Sequence, residues 1–543
     1  LNDTNTATGN VDCLPLAATP GLSRLFVDFA SGTAASESLR RFLSLRDEKA
    51  ARPPRPAHWP ELVHLIAAQN PASGDSVAAL AEGAGTVVTG QQVGLFGGPL
   101  YTPFKAATAV ARAAQGTACG SPHVAIFWLA SEDHDFAEVD HVTLPAGREL
   151  RTLTYAPPRG DGPESARPAG GVVFDDSILA LVEQAQSLSS GDCIASLLAG
   201  YRPGKTFAQA FAQFYSTAFA RQGLLVLDAS GRDFHRLGAP VLRAAMERAD
   251  ELHAALLERN AALEAAGYAV QVAVAPQSSL LFLLDEKTGA RVALKRTPPT
   301  AAEPKGLWHA GAESLSTGDL LGILDAEPER LSPSALLRPV FQDFLLGSSS
   351  IAAGPAEIAY YAQSGVLYDR ILGSQTPPAA RLSATLIEPH VGELLRKHGL
   401  TLEQLFPEDA ASLARSLAAR SMPPETRQKL DASAHALDAE LAALVSWLQS
   451  QDKGLGQSAE TAANKIQYQM NRLRTLAANF QLQREATLSR HAETLSNALF
   501  PGGVLQERVH GAAHYFGRYG LELAETLCAQ AGQACPGHMA LWL

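Results

Sequence analysis

From Val87 to Phe136 the chain reads as strand, glycine loop, helix and strand, and this unit constrains the fold more than any other stretch of the sequence. The apolar run VVTG breaks into QQVGLFGGP, the alanine-rich YTPFKAATAVARAAQ has helical texture, and VAIFWLAS is a second apolar run of strand length. Two such runs around one helix make a βαβ unit, whose strands are parallel because the connection crosses back over the sheet. A parallel sheet is covered on both faces, so an α/β core is expected. Ligands of open α/β sheets sit beyond the carboxyl ends of the strands, where loop N–H groups and helix N-termini converge. The loops that leave these two runs, Gly90 to Pro99 and Glu132 to Asp135, are therefore the first candidates for a site.

A chain of 543 residues that is 46% hydrophobic and 18% charged can bury a large core and divide into two or three domains. Its net charge of −11 argues against a general nucleic-acid binder, which would carry a basic face. The five cysteines, Cys13, Cys119, Cys193, Cys528 and Cys535, are odd in number and contain no CxxC pair. Neither a disulfide framework nor a zinc ribbon is expected, and a reducing cytoplasm fits best. The opening LNDTNTATGN lacks a basic segment followed by an apolar one, and no run of about eighteen apolar residues suggests a membrane span.

Along the chain, residues 1–85 are helix-biased, with a proline-rich interruption from Ala51 to Pro60, and read as a segment packing on the core. The core is expected over 86–388, with insertions at about 143–204 and about 268–335. In the first insertion RTLTYAPP and GGVVFDD look strand-like; around the second, YAVQVAVAP and SLLFLLDE suggest a hairpin-like or mixed portion. GLLVLDASG is a further apolar strand that ends in an acid, Asp228. Residues 389–499 hold the clearest periodicity. Leu430, Ala434, Leu437, Leu441, Leu444 and Leu448 recur at spacings of four and three, and Ala463, Ile466, Met470, Leu473, Ala477 and Phe480 repeat the pattern. With KGLGQS between them as a turn, the two helices should form an antiparallel coiled-coil hairpin, either an intramolecular arm or a dimerisation arm. Residues 500–543 read as a return to the core.

The first loop satisfies neither GxGxxG nor GxxxxGK[ST], which disfavours a nicotinamide enzyme. Gly90, Gly94, Gly97 and Gly98 still permit close backbone approach, Gln91 and Gln92 offer amides, and Lys105 in the following helix can meet an anion. In the second loop Glu132, Asp133, His134 and Asp135 crowd like charges, which is unfavourable unless a cation, an amine or hydrogen bonds offset it. His134 can act as general acid or base, and the neighbouring acids can hold an ammonium group or Mg²⁺, or one of them can cap the next helix. His141 would lie two turns beyond His134 on a helix, too weak a pattern to assign a metal site. Further on, LRPVFQDF offers Arg338 as a fork for a carboxylate or phosphate, and AAGPAEIAYYAQ places Glu357 and Tyr360 one helical turn apart after Gly354. Each also has a structural reading, Arg338 as a partner of Asp343 or Glu357 and Tyr360 as a core aromatic.

Taken in order, TGQQVGLFGGPLYTPFKA, FWLASEDHDFAEVDHV, LRPVFQDF, GPAEIAYYAQ, the heptad hairpin and LQERV resemble the cysteine ligases of bacillithiol biosynthesis over nearly the whole chain. The resemblance implies a Rossmann-like parallel-sheet core with connecting-peptide insertions and an α-helical coiled-coil dimerisation domain, hence a homodimer. It further implies addition of L-cysteine to glucosaminyl malate, with ATP the economical activator of the carboxylate and Mg²⁺ its companion. On that basis Gly90 to Pro99 and Lys105 would bind nucleotide or phosphate, Glu132 to Asp135 would orient the amine and move its proton, and Asp228, Arg338, Gly354, Glu357 and Tyr360 would line the pocket. HIGH and KMSKS, the usual phosphate handles of class I synthetases, are absent, and Lys295 with Arg296 is a possible substitute. A nucleotide-binding scaffold without turnover, and an amide ligase for another amino-sugar or thiol, stay open as alternatives.

Overall fold

The structure, a computed structural model, describes residues 11–32, 34–43, 45, 55–157, 167–297, 306–533 and 535–543. The opening LNDTNTATGN and the first four residues of the proline-rich interruption lie outside them. At the centre is a five-stranded parallel sheet of β1 (Gly85–Gln91), β2 (His123–Leu129), β3 (Leu225–Asp228), β4 (Ser350–Ala353) and β5 (Pro378–Ala380). Its order is β5-β4-β1-β2-β3, so the chain winds outward from β1 in one direction and then returns to its other side with β4. Strand order reverses between β1 and β4, which is where open α/β sheets form a crevice.

Alternate residues of these strands feed two separate cores, as the period of two demands. Val88, Ile126, Trp128, Leu227 and Ile351 join a cluster under helices α2 (Arg232–Glu247) and α3 (Arg338–Leu346), together with the amino-terminal helix Trp59–Gln69. Val87, Ala125, Phe127, Leu129 and Ala352 face the opposite cluster, covered by α1 (Tyr101–Ala118), the helix of the βαβ unit. That helix reaches the sheet through Phe104 and through Ala106, Ala107, Ala109 and Ala113, the last four small residues that allow close approach. Both expected site loops consequently leave the same sheet edge, held in step by the Ala130 N–H bond to the Gln91 carbonyl, 2.8 Å.

Two insertions flank that edge. The first begins with a hairpin, His141–Ala146 with Glu149–Thr154, and continues into helices; GGVVFDD forms no strand, only a short 3-10 turn, Ala169–Gly171, and an isolated bridge from Val173 to Thr206. The second is an antiparallel sheet in which Ser278–Leu284 pairs with both Arg291–Thr297 and Leu331–Pro333. YAVQVAVAP forms no strand either, so it makes no hairpin with SLLFLLDE; Ser278–Leu284 turns back instead onto Arg291–Thr297. Residues 158–166 and 298–305 of these insertions lie outside the described set.

A third sheet was not expected. Val11–Leu14 pairs antiparallel with His538–Trp542, which in turn runs parallel to Ala384–Ile387 just after the central sheet. Cys13 and Cys535 are disulfide-bonded across this junction, with Cα atoms 6.0 Å apart, a bond that the expectation of no disulfide framework did not foresee. Residues 522 apart in sequence carry no spacing signal for such a bond. The helices α5 (Pro424–Gln451) and α6 (Lys453–Arg484) form the arm. Asp431 meets Arg474 at 2.8 Å and Asp438 meets Gln467 at 3.0 Å, a descending register that makes the pair antiparallel. The turn is tighter than KGLGQS: Asp452 alone breaks the helices and caps α6 by accepting the Leu455 N–H at 2.9 Å. Gly456 then lies inside α6, where a β-carbon would strike Gln449 of α5. Among the described residues no helix is long and apolar enough to cross a membrane.

Candidate active site

A cavity of about 440 Å³ opens at the reversal between β1 and β4. Its floor is Gly90 and Gln91 from β1 and Gly354 at the end of β4, where helix α4 (Pro355–Ile371) begins. Lys105 is buried beneath it, donating to the Gly90 carbonyl and to Gln91 Oε1, both at 2.8 Å, and pairing with Glu357 Oε2 at 2.5 Å. Burial pushes the Lys105 amine below its ordinary pKa, and the Glu357 charge opposes that shift. Glu357 also accepts the Gly354 N–H at 2.8 Å and so caps α4, while Arg338 donates to Tyr360 Oη and lies 4.0 Å from Glu357 Oε1. A β-carbon on Gly354 would sit 3.4 Å from Arg381 Nε and 3.7 Å from Lys105 Cε, so glycine leaves the helix start open to these cations. Arg508 completes the cationic set. A 17-residue helix with its N-terminus among four basic side chains is suited to an anion.

The acidic loop contributes the facing wall, and its expected repulsion is offset at Glu132 and Asp133. Gln92 bridges Asp133 at 2.8 Å and Glu138 at 3.0 Å. Glu132 lies 3.0 Å from Nε2 of His235, a fully buried imidazole whose Nδ1 bonds the Leu331 carbonyl at 2.8 Å. Burial disfavours a charged His235, but Glu132 and that carbonyl outweigh it and raise the pKa. Glu132 is thus committed to an ion pair, which leaves Asp133 and His134 as the groups of this loop open to a ligand. His134 Nδ1 is 3.4 Å from Arg291 Nη1, and its ring lies 5.6 Å from Phe282. Since guanidinium can only donate, Nδ1 accepts, and a neutral His134 carries its proton on Nε2.

Of the residues singled out from sequence, Gly90, Gln91, Gln92, Lys105, Glu132, Asp133, His134, Arg338, Gly354, Glu357 and Tyr360 converge on this cavity. The rest stand apart. Gly97 and Gly98 have φ of +84° and +68°, and the Gly97 peptide is gripped by Tyr201 and Tyr215 hydroxyls at 2.9 and 2.7 Å. Tyr201 also donates to the Gly94 carbonyl at 2.9 Å, and Pro99 bridges to Gly511. These glycines therefore serve packing against core aromatics and the carboxyl-terminal segment, not the cavity wall. Asp135 precedes the short helix Phe136–Val139 without capping it, and His141 lies on a strand, so His134 and His141 share no helix. Asp228 accepts the Ser131 hydroxyl at 2.6 Å and steadies the acidic loop from behind. Lys295 and Arg296 line a different cavity of about 830 Å³, where Arg296 forks onto Asp250 with two 2.7 Å bonds, which removes them as phosphate handles at this site.

Sequence reading missed Tyr101, Glu138, Phe282, Arg291, Arg381 and Arg508. Arg381 follows the last residue of β5, so the carboxyl-end rule would have found it had PAA been recognised as a strand. Arg508 stands in the LQERV motif; Arg291 belongs to the second insertion and carried no signal. Among the described residues no three His, Cys, Asp or Glu side chains are grouped to hold a metal.

A Rossmann-like α/β core with an anion-ready crevice at its switch point, joined to a coiled-coil arm, defines the class of this protein. Residues 29–379 match the family model described as Bacillithiol biosynthesis BshC, N-terminal Rossmann-like domain, and 384–541 the model for the BshC C-terminal coiled-coil domain. A protein of Koribacter versatilis named "Putative cysteine ligase BshC" is 40% identical over 97% of this chain and 98% of its own. Proteins of the same name from Solibacter usitatus and Geobacillus thermodenitrificans are 32% and 30% identical, covering 97% and 82% of this chain and 98% and 81% of their own lengths. The chain belongs to the BshC family of bacillithiol biosynthesis.

Proposed function

We propose that this chain, a ligase by family, joins the carboxyl group of L-cysteine to the amine of glucosaminyl malate in the switch-point cavity. The observation that carries the reading is the pairing of two opposite chemistries in one cavity: Lys105, Arg338, Arg381 and Arg508 around Gly354, and Asp133, Glu138 and His134 on the facing loop. A malyl glucosamine has the matching pattern, two carboxylates and an amine. The cations take the carboxylates, and the acidic loop holds the ammonium until it loses its proton. ATP with Mg²⁺ would supply the leaving group on the cysteine carboxyl carbon. Conversion of the ammonium to an amide nitrogen releases two protons, one to solvent before attack and one during it to Asp133, which Gln92 holds on the cavity wall. His134, which carries its proton on Nε2 when neutral, donates to the developing oxyanion.

Homodimerisation belongs to the same reading. Leu444, Trp447, Ile466, Leu473 and Phe480 are 44–61% exposed on the arm, an apolar face that a second copy would cover. The cytoplasm, where ATP and free cysteine are supplied, is the compartment that fits this reaction; the Cys13–Cys535 bond is the one feature that favours an oxidising one. The test is incubation of the purified protein with L-cysteine, glucosaminyl malate, ATP and Mg²⁺, followed by mass spectrometry. Amide product with stoichiometric AMP or ADP supports the reading. No product, with a panel of other thiols and amino-sugars also inert, contradicts it, and product from another acceptor reassigns the substrate.

A further inference from the structure

The carboxyl-terminal segment enters the cavity through one short helix, Gln506–Val509, whose adjacent charges part company. Arg508 lines the cavity, whereas Glu507 turns away from it and is 2% exposed. A carboxylate buried to that extent must be met by donors. Arg381 Nη2 donates to Oε1 at 2.6 Å, and the Ser383 hydroxyl and Ala384 N–H donate to Oε2 at 3.1 and 3.0 Å. Behind Ser383, His538 lies 2.8 Å from its hydroxyl through Nδ1 and 2.8 Å from the Thr385 hydroxyl through Nε2. Burial depresses the His538 pKa to about 4, so the ring is neutral. One proton order then satisfies every member: Thr385 donates to Nε2, Nδ1–H donates to Ser383, and Ser383 donates to Glu507.

The chain of bonds ends at Arg381. Its Nη1 donates to the Leu382 carbonyl at 2.6 Å and its Nη2 is held by Glu507, so both terminal nitrogens are fixed from the protein side. The remaining Nε edge faces Gly354 at the start of α4.

We infer that Glu507 is a positioning residue for the anion half of the cavity, fixing Arg381 so that its Nε edge meets a ligand carboxylate at the start of α4. Glu507 touches no ligand itself; it acts through Arg381. The inference rests on the reading of this cavity as a carboxylate site.

Equilibrium binding of glucosaminyl malate, measured by calorimetry without ATP or cysteine, tests it independently of turnover. Glu507→Gln is expected to weaken binding about tenfold, roughly the value of one charge-assisted contact. Arg381→Ala is expected to weaken it at least as much, and the double variant no more than Arg381→Ala alone. Ser383→Ala, which spares the Arg381 pair, should give a smaller loss of about twofold to threefold and serves if Glu507→Gln does not fold. Unchanged binding in Glu507→Gln, or in Ser383→Ala where only that variant folds, overturns the inference while leaving the function standing. So do losses that multiply in the double variant. No binding by the unaltered protein overturns the carboxylate site and the inference together.

Discussion

The cavity and the arm are opposites in what they leave unfinished. At the switch point, charges are buried or half-buried and already matched, Lys105 with Glu357, Glu132 with His235, Arg381 with Glu507, so the protein has placed its polar groups before any ligand arrives. Along the arm the polar bonds are few and exposed, and it is apolar surface that lacks a partner: Trp447 is 60% exposed and Phe480 61%. Within one chain the arm buries Ala434, Leu441, Ala463 and Ala478, small or widely spaced residues, and leaves most of the larger ones outward. A preorganised polar site asks for a small charged molecule, and an uncovered apolar seam asks for another helix.

Four changes would break or sharpen that contrast. His134→Ala should have the largest effect, lowering kcat by about 10²–10³ through loss of its hydrogen bond to the developing oxyanion, while the melting temperature stays put because the side chain is partly exposed. Equal turnover would remove His134 from the chemistry. Lys105→Met comes next: it leaves the mostly buried Glu357 with only the Gly354 N–H and Arg338 at 4.0 Å, and unfolding by denaturant should show a loss of up to about 3–5 kcal/mol. A loss under 1 kcal/mol would mean that water reaches the pair.

Acid should act on the core and not on the arm. Burial holds His510 and His538 near pKa 4, below their ordinary value of about 6.5. The unfolded chain therefore binds more protons between those limits, and stability falls as pH drops from about 6.5 toward 4, by up to roughly 3 kcal/mol per histidine. Melting curves that stay flat across that window would contradict the neutral buried state of both rings. The smallest effect on the folded chain is expected from Trp447→Glu with Leu473→Glu, which should convert the proposed dimer to a monomer in light scattering with the melting of the core almost unchanged. A dimer that persists would place the interface elsewhere.

Much of this contrast was legible from residues alone, for identifiable reasons. The βαβ unit was visible because β1 and β2 are continuous apolar runs, buried on both faces, and end where their residue chemistry changes abruptly. The arm was visible because spacings of three and four persist over two helices. The third sheet was not, since Val11–Leu14, Ala384–Ile387 and His538–Trp542 are short and their pairing joins chain segments hundreds of residues apart. Glycine was the least specific signal: Gly90 and Gly354 shape the cavity, whereas Gly97 in the same loop as Gly90 is packed where a β-carbon would lie 2.6 Å from Phe214. Distinguishing them requires the positions of Tyr201 and Tyr215, which no local pattern supplies.

Hydrogen–deuterium exchange with and without glucosaminyl malate tests most directly the claim that ligand chemistry resides in the cavity and assembly in the arm. Protection is expected in segments 88–106, 351–360, 378–385 and 505–509, with no change over 424–484. Protection confined to the arm, or to the 245–296 region around the second cavity, would contradict it.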